Sequence, residues 1–288
     1  MNTPRATVSK LLPFSCVDGP GNRLVLFLQG CNFACLTCHN PHTMALCTHC
    51  GDCIPACPTG ALELRAGRVE FDPALCTQCD DCLRACPINA NPMVREMSLP
   101  EVLDVLRENL PFLDGITVSG GEATTQLKFL VALFAAVKYA PDLAHLSCLV
   151  DSNGYLGPGG WARLLPVVDG VMLDIKALDA ETHRRLTGQD NARVLDSARL
   201  LHAAGKLQEI RFLVIPGVTD TEAEIVALTE FLHELDPAPR LRLNAFQAHG
   251  VRPPAAVWPT ASRDGMEAVA QRLSDLGVMR IETPTVYL

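Results

Sequence analysis

Leu24-Val25-Leu26-Phe27-Leu28-Gln29-Gly30-Cys31-Asn32-Phe33-Ala34-Cys35-Leu36-Thr37-Cys38-His39-Asn40-Pro41 joins a short apolar run to three cysteines that fall within eight residues. A run of this length and composition, 24–29, reads as a buried strand of a parallel sheet. The cysteines, spaced C-x3-C-x2-C, therefore begin where that strand ends. Three thiolates so close can hold three irons of a 4Fe-4S cube and leave the fourth without a protein ligand. A free position separates a catalytic metal from a structural one, which closes on four ligands. The competing reading is a zinc knuckle with His39 as fourth ligand, but Cys38 and His39 are adjacent and leave no slack for a tetrahedron.

Strand and helix alternate through the rest of the chain. Apolar segments with strand character span 115–119, 146–150, 170–175, 210–215, 241–246 and 278–281, about 25 to 40 residues apart. Most of the gaps carry helical periodicity, the pattern of repeated βα units on a parallel sheet. Ser98 and Glu101 ahead of Val102, Leu103 and Leu106 predict a capped amphipathic helix, as do Thr221 and Glu224 ahead of Ile225, Leu228 and Leu232. Met266, Val269, Ala270, Leu273 and Leu276 form a last apolar stripe, closed by Gly277. Residues 42–97 interrupt this pattern with eight cysteines and read as an inserted module. Without them about 230 residues remain, the size of a six-unit partial barrel. The expected fold class is thus α/β, a partial (β/α)6 barrel formed by 1–41 and 98–288, with a ferredoxin-like insertion at 42–97.

The insertion contains Cys47-x2-Cys50-x2-Cys53-x3-Cys57-Pro58 and then Cys76-x2-Cys79-x2-Cys82-x3-Cys86-Pro87. Each is the bacterial ferredoxin run, and a tandem pair predicts two 4Fe-4S clusters with crossed fourth ligands. Cys47, Cys50, Cys53 and Cys86 are accordingly assigned to one cluster, and Cys76, Cys79, Cys82 and Cys57 to the other. Two zinc sites are the alternative, which three cysteines at x2 intervals before x3-Cys-Pro suit less well. With every ligand position filled, these clusters are expected to relay electrons from an external donor; a docking or structural module is the other reading.

Composition narrows the class further. Thirty-two acidic against 24 basic side chains give a formal charge of -8, and no Lys/Arg stripe tracks a phosphate backbone, so no nucleic-acid partner is expected. The longest apolar run, 129–137, lies between Lys128 and Lys138 and is about half the ~20 residues of a membrane span. A buried helix is expected there, and no membrane association. Met1-Asn2-Thr3-Pro4-Arg5 carries no signal-peptide pattern, so the expected location is cytoplasmic. In that reducing compartment thirteen cysteines read as metal ligands rather than disulfides. Eleven of them form the three groups above. Cys148 reads as strand core, and Cys16 is unassigned.

Strand ends carry the remaining signals. Ser119-Gly120-Gly121-Glu122, Asp151-Ser152-Asn153-Gly154 and Asp174-Ile175-Lys176 close three successive strands, at the edge where parallel barrels bind ligands. Carboxylates and a lysine there are costly to bury unpaired and are expected to face a cavity. Arg211, opening Arg-Phe-Leu-Val-Ile-Pro-Gly217, either joins them or is a solvated strand position.

With Cys31, Cys35 and Cys38 behind a first strand and Gly120-Gly121-Glu122 behind the next, the chain resembles the radical S-adenosylmethionine superfamily. The resemblance implies that the cofactor's methionine chelates the open iron. It further implies that one electron cleaves the sulfonium to release a 5'-deoxyadenosyl radical. Cofactor contacts are then expected from Thr37, Cys38, His39, Gly120, Gly121, Glu122, Asp151, Ser152, Asn153, Asp174, Ile175, Lys176 and Arg211, with Glu122 on the ammonium group. A monovalent cation is expected near Asp151, Met172 and Asp174.

Phe14-Ser15-Cys16-Val17-Asp18-Gly19-Pro20-Gly21-Asn22-Arg23, joined to Gln29-Gly30-Cys31 and Cys38-His39-Asn40-Pro41, is similar to the N-terminal signature of glycyl-radical enzyme activating enzymes. The paired ferredoxin runs point to their cluster-rich, YjjW-type branch. That family implies abstraction of a Cα hydrogen from a glycine of a partner glycyl-radical enzyme, with a low-potential donor such as flavodoxin or ferredoxin. Asp18 is the candidate to hold the target peptide. The family often places a histidine after the sixth strand where this chain has Gln247; either its amide substitutes or His249 swings in. The alternatives are a radical enzyme acting on another peptide or small molecule, and a ferredoxin-like electron carrier.

Overall fold

The computed structural model describes residues 3–284; 1–2 and 285–288, the outermost residues of the expected ranges, lie outside the described residues. The chain forms two compact units, Met1–Asn32 with Asn40–Cys148, and Phe33–His39 with Leu149–Leu288. The expected insertion, 42–97, falls wholly within the first.

In chain order the first unit contains β1 (Arg5–Ser15), β2 (Arg23–Leu28), β3 (Leu62–Arg65), β4 (Arg68–Phe71), α1 (Asp81–Ala85), β5 (Arg95–Ser98), α2 (Leu99–Asn109), β6 (Gly115–Gly120) and α3 (Leu127–Tyr139). Strands run in the order β6-β2-β1-β5. β2 and β6 are parallel, and β1 is antiparallel to β2 and β5. Leu24, Val25, Leu26 and Leu28 of β2 are all buried, the continuous apolar reading of a strand covered on both faces. α2 begins with the full capping box: Ser98 accepts from the Glu101 amide, and the Glu101 carboxylate accepts from the Ser98 amide at 2.6 Å. α3 is the apolar run read as a buried helix, with Phe129, Leu130, Leu133, Phe134 and Val137 inside.

The chain passes into the second unit within β7 (Ser147–Ser152). There follow α4 (Pro158–Leu164), β8 (Gly170–Ile175), α5 (Ala180–Thr187), α6 (Ala192–Ala203), β9 (Leu207–Val214), α7 (Glu222–Glu234), β10 (Leu241–Ala245), α8 (Arg263–Asp275) and β11 (Ile281–Glu282). β7 through β11 pair in sequence order, all parallel. Along β9, Ile210, Phe212 and Val214 are buried on one face, while the period of two turns Glu209 and Arg211 to the other.

Three expectations are adjusted. β1, β5 and the β3–β4 hairpin were not anticipated. The hairpin closes on Ala66 and Gly67, both at positive φ, the geometry of a two-residue hairpin turn. The strand expected at 278–281 is only Ile281–Glu282, because the Val278 amide bonds the Leu273 carbonyl as part of the α8 cap. Thr221 caps α7 as expected, but the Glu224 carboxylate bonds the amides of Leu178 and Asp179, both at 2.8 Å. It ties α7 to the loop after β8. Among the described residues no helix is long and apolar enough to cross a membrane.

Candidate active site

In the first unit the cysteine loop starts where β2 ends. Gly30, at φ +101, donates to the Thr43 carbonyl at 2.8 Å, and the Cys31 amide donates to Met44 at 3.0 Å. Gly120 and Gly121 follow β6 beside it. A Cβ on Gly120 would collide with the Leu28 backbone, and one on Gly121 with the carbonyls of Gly30 and Thr43. The two glycines thus let β6 close against the root of the cysteine loop. The Glu122 amide donates to Gly30, and its buried Oε1 accepts from the Thr124 amide at 3.0 Å and hydroxyl at 2.6 Å. The carboxylate is therefore held in one orientation beside that loop.

Asp18 lies toward the other end of these strands. Its carbonyl accepts from Thr117 Oγ1 at 2.7 Å, and its carboxylate from Ser15 Oγ at 2.5 Å. Thr117 precedes Gly120 by three residues, about 10 Å of strand. The buried Arg23 guanidinium braces this turn through Thr117 Oγ1 and the Pro20 carbonyl.

In the second unit Phe33–His39 is sewn to the end of α5, with Ala34 donating to Thr187 at 2.9 Å and Leu36 to Leu186 at 2.8 Å. Phe33 lies edge-on to Tyr155 and His183. Thr37 is buried. Burial pushes the Cys35 thiol up to about 11 against the pull of the Lys176 ammonium, so this sulfur ionises when a metal takes it. Lys176 bonds Asp174 at 2.7 Å. Burial opposes the ammonium, yet Asp174 and Cys35 hold its pKa above the ordinary lysine value.

Arg211 is not a solvated strand position. It reaches Asp151 at 3.2 Å and Glu209 at 2.6 Å, with its side chain 11% exposed. Desolvation works against its charge, and Asp151, Asp174 and Glu209 keep its pKa above the usual arginine value. Register explains the convergence: Asp151 pairs with Met172, Met172 with Glu209, and Asp174 with Arg211. Ile175 is core. Ser152 Oγ and Asn153 Oδ1 accept from the amides of Gly154 and Tyr155 and shape the turn after β7. His39 has its pKa lowered by desolvation and by the charges of Lys176 and His249. His249 thus stands in electrostatic reach of His39, whereas the Gln247 amide lies 3.4 Å from the Ala261 carbonyl.

The insertion gathers its cysteines around two cavities. One is lined by Cys47, Cys50, Cys53 and Cys86; the other by Cys57, Cys76, Cys79 and Cys82. These are the crossed sets read from spacing. Among the described residues no three His, Cys, Asp or Glu side chains gather about a single-ion site. Backbone amides point at the sulfurs: His49 at Cys47 and Ala90 at Cys86 around the first cavity, Gln78 at Cys76 around the second, all at 3.3 to 3.4 Å. His49 and Gly51 have positive φ, as do Gln78 and Asp80 at the same positions of the second run, so the two copies share a backbone as well as a spacing.

Sequence reasoning overlooked Glu209, which the alternation Glu-x-Arg along β9 could have revealed. It also overlooked His183, buried and without a distinguishing pattern around it.

The Radical SAM superfamily profile matches residues 25–229. The chain is 32% identical over 247 residues to a pyruvate formate-lyase-activating enzyme of Streptococcus mutans, covering 82% of this chain and 76% of that one. It is 31% identical over 246 residues to a choline trimethylamine-lyase activating enzyme of Oleidesulfovibrio alaskensis, covering 79% and 78%. QueE from Escherichia coli has a similar fold, with a TM-score of 0.55 and 14% identity over 98% of this chain and 95% of that one. A 4Fe-4S cluster and S-adenosylmethionine go with the family, and Cys35, a buried thiol with the Lys176 charge acting on it, suits a metal ligand. The chain is an enzyme of the Radical SAM superfamily and belongs among its activating enzymes.

Proposed function

We propose that this enzyme is a glycyl-radical enzyme activase of the YjjW type, which abstracts a Cα hydrogen from one glycine of a partner enzyme. The observation that carries the reading is the three-cysteine loop at the end of the first parallel strand, in a chain 32% identical over most of its length to an activating enzyme. When bound, the cluster and S-adenosylmethionine supply one electron and a 5'-deoxyadenosyl radical. The protein's own residues position and exclude.

Cys31, Cys35 and Cys38 would hold three irons. Glu122, fixed by Thr124, would take the methionyl ammonium. Asp151, Asp174 and Lys176 would meet the ribose and carboxylate, with a monovalent cation beside Asp151, Met172 and Asp174. Thr37, His39, Ser152, Asn153, Ile175 and Arg211 would add further cofactor contacts, and His249, whose charge bears on His39, is a better candidate for the missing family histidine than Gln247. A primary carbon radical is indiscriminate unless the wanted C–H is held close and water is kept away. A target loop hydrogen-bonded at Asp18 needs about three extended residues to reach the level of Gly120. Residues 42–97, as a separate module, would carry two further 4Fe-4S clusters on the two cysteine-lined cavities and relay electrons from a flavodoxin- or ferredoxin-type donor.

The test is anaerobic reconstitution, reduction, addition of S-adenosylmethionine and candidate partner enzymes, and electron paramagnetic resonance. A glycine-centred doublet is expected with one partner. Cofactor cleavage without a doublet on any glycyl-radical enzyme would point to a different substrate.

A further inference from the structure

The geometry points to an order for the two insert sites: the one lined by Cys47, Cys50, Cys53 and Cys86 is the inner site, passing its electron toward Cys31, and the one lined by Cys57, Cys76, Cys79 and Cys82 is the outer site, where the electron enters. This order rests on the relay reading above. It follows from how the insertion is attached. The Cys31 amide bonds the Met44 carbonyl at 3.0 Å. The next residue, Ala45, bridges to Ala90, and the Ala90 amide bonds the Cys86 sulfur at 3.3 Å. Cys47 lies two residues beyond Ala45, no more than about 7 Å of extended chain. A continuous path of covalent and hydrogen bonds therefore joins Cys31 to two ligands of the first cavity.

Gln29 locks that junction. It is 1% exposed, and its Nε2 donates to the carbonyls of His42 at 2.8 Å and Ala45 at 2.6 Å, while its Oε1 is buried without a partner among the described residues. Burying an unsatisfied amide oxygen is costly, and the two bonds from the same side chain fix the strand that leads into Cys47. The second cavity meets the first across the buried layer of Cys53, Leu62, Val69 and Cys82, so an electron placed there reaches the Cys31 loop by way of the first. One electron leaves a reduced, low-potential one-electron donor protein, which is oxidised by one unit. It passes from outer to inner site and on to the irons at Cys31, with no bond or proton moving on the way.

The experiment uses the full chain loaded anaerobically with iron and sulfide, as wild type, Cys50→Ser and Cys79→Ser. Iron is counted, and the reduced signal that shifts on adding S-adenosylmethionine is examined for dipolar broadening by a neighbouring reduced cluster. Dipolar coupling falls with the cube of distance. Broadening is expected to survive Cys79→Ser and to weaken severalfold in Cys50→Ser. The reverse pattern, or no broadening in wild type, overturns the order. If a serine variant sheds both insert clusters, Cys50→Asp and Cys79→Asp retain a ligand and mark one cluster each by altered g-values. The broadened partner must then be the one marked by Cys50→Asp, and the Cys79→Asp mark in its place overturns the order. About four irons per chain in wild type, in place of about twelve, sinks the relay reading itself, whereas about twelve with the wrong pattern sinks only the order.

Discussion

Cys35 shares its surroundings with Lys176 and Asp174, fixed charges at strand ends, whereas the insertion sets backbone amides against Cys47, Cys76 and Cys86 and packs Cys53 and Cys82 with apolar side chains such as Leu62 and Val69. The two regions set one residue type in different surroundings. Under the proposed function, four cysteines around each insert cavity would leave a cube nothing to bind, and the amides directed at sulfur would tune its electronics. Three thiolates would leave one iron for a polar ligand with its own carboxylate and ammonium. On that proposal, ligand count would separate the site that reacts from the sites that conduct.

Removing a ligand from each region should break the comparison most visibly. Cys35→Ala is expected to abolish S-adenosylmethionine cleavage under every reductant and to lower iron by about four per chain; intact cleavage would place the open iron elsewhere. Cys50→Ser is expected to lose a similar amount of iron but to keep cleavage driven by dithionite, while cleavage driven by a protein donor falls about tenfold or more, a barrier increase of about 1.4 kcal/mol. Equal losses with both reductants would make the insertion structural. Lys176→Met removes the ammonium beside Cys35 and should raise the S-adenosylmethionine concentration for half-saturation about tenfold, leaving the insert spectra unchanged.

The smallest effect compares the two copies within the insertion. Gly51 in the first corresponds to Asp80 in the second, both left-handed at φ +87 and +61. Asp80→Gly should therefore stabilise the loaded chain by about 1 kcal/mol, as glycine relieves the left-handed strain, read as a shift in thermal unfolding. Destabilisation would show that the Asp80 side chain matters more than its backbone.

Much of this was legible because the signals were local. Cysteine spacing, apolar strands of parallel type and the Ser98 box each depend on neighbours within a few residues, and the structure returns them in place. Tandem spacing also brought Cys47 together with Cys86, and Cys57 with Cys76, the residues that line common cavities. Non-local facts were harder. β1 carries polar residues and pairs antiparallel to β2, so it lacks the apolar run that marks the parallel strands. The hairpin at Leu62 and Phe71 alternates plainly but sits between cysteine runs that dominate its context. The partners of Glu224 and Arg211 follow from register and loop packing, and no spacing within one segment announces them.

The vacancy at the three-cysteine cluster can be tested directly. The reduced, iron-loaded chain is mixed with S-adenosylmethionine carrying oxygen-17 in its carboxylate, and electron-nuclear double resonance is recorded on the cluster signal. A resolved oxygen-17 coupling is predicted, because on the proposed function the methionyl carboxylate would bind the iron that Cys31, Cys35 and Cys38 leave open. An unchanged signal, or coupling from a fourth protein ligand in its place, would contradict the account.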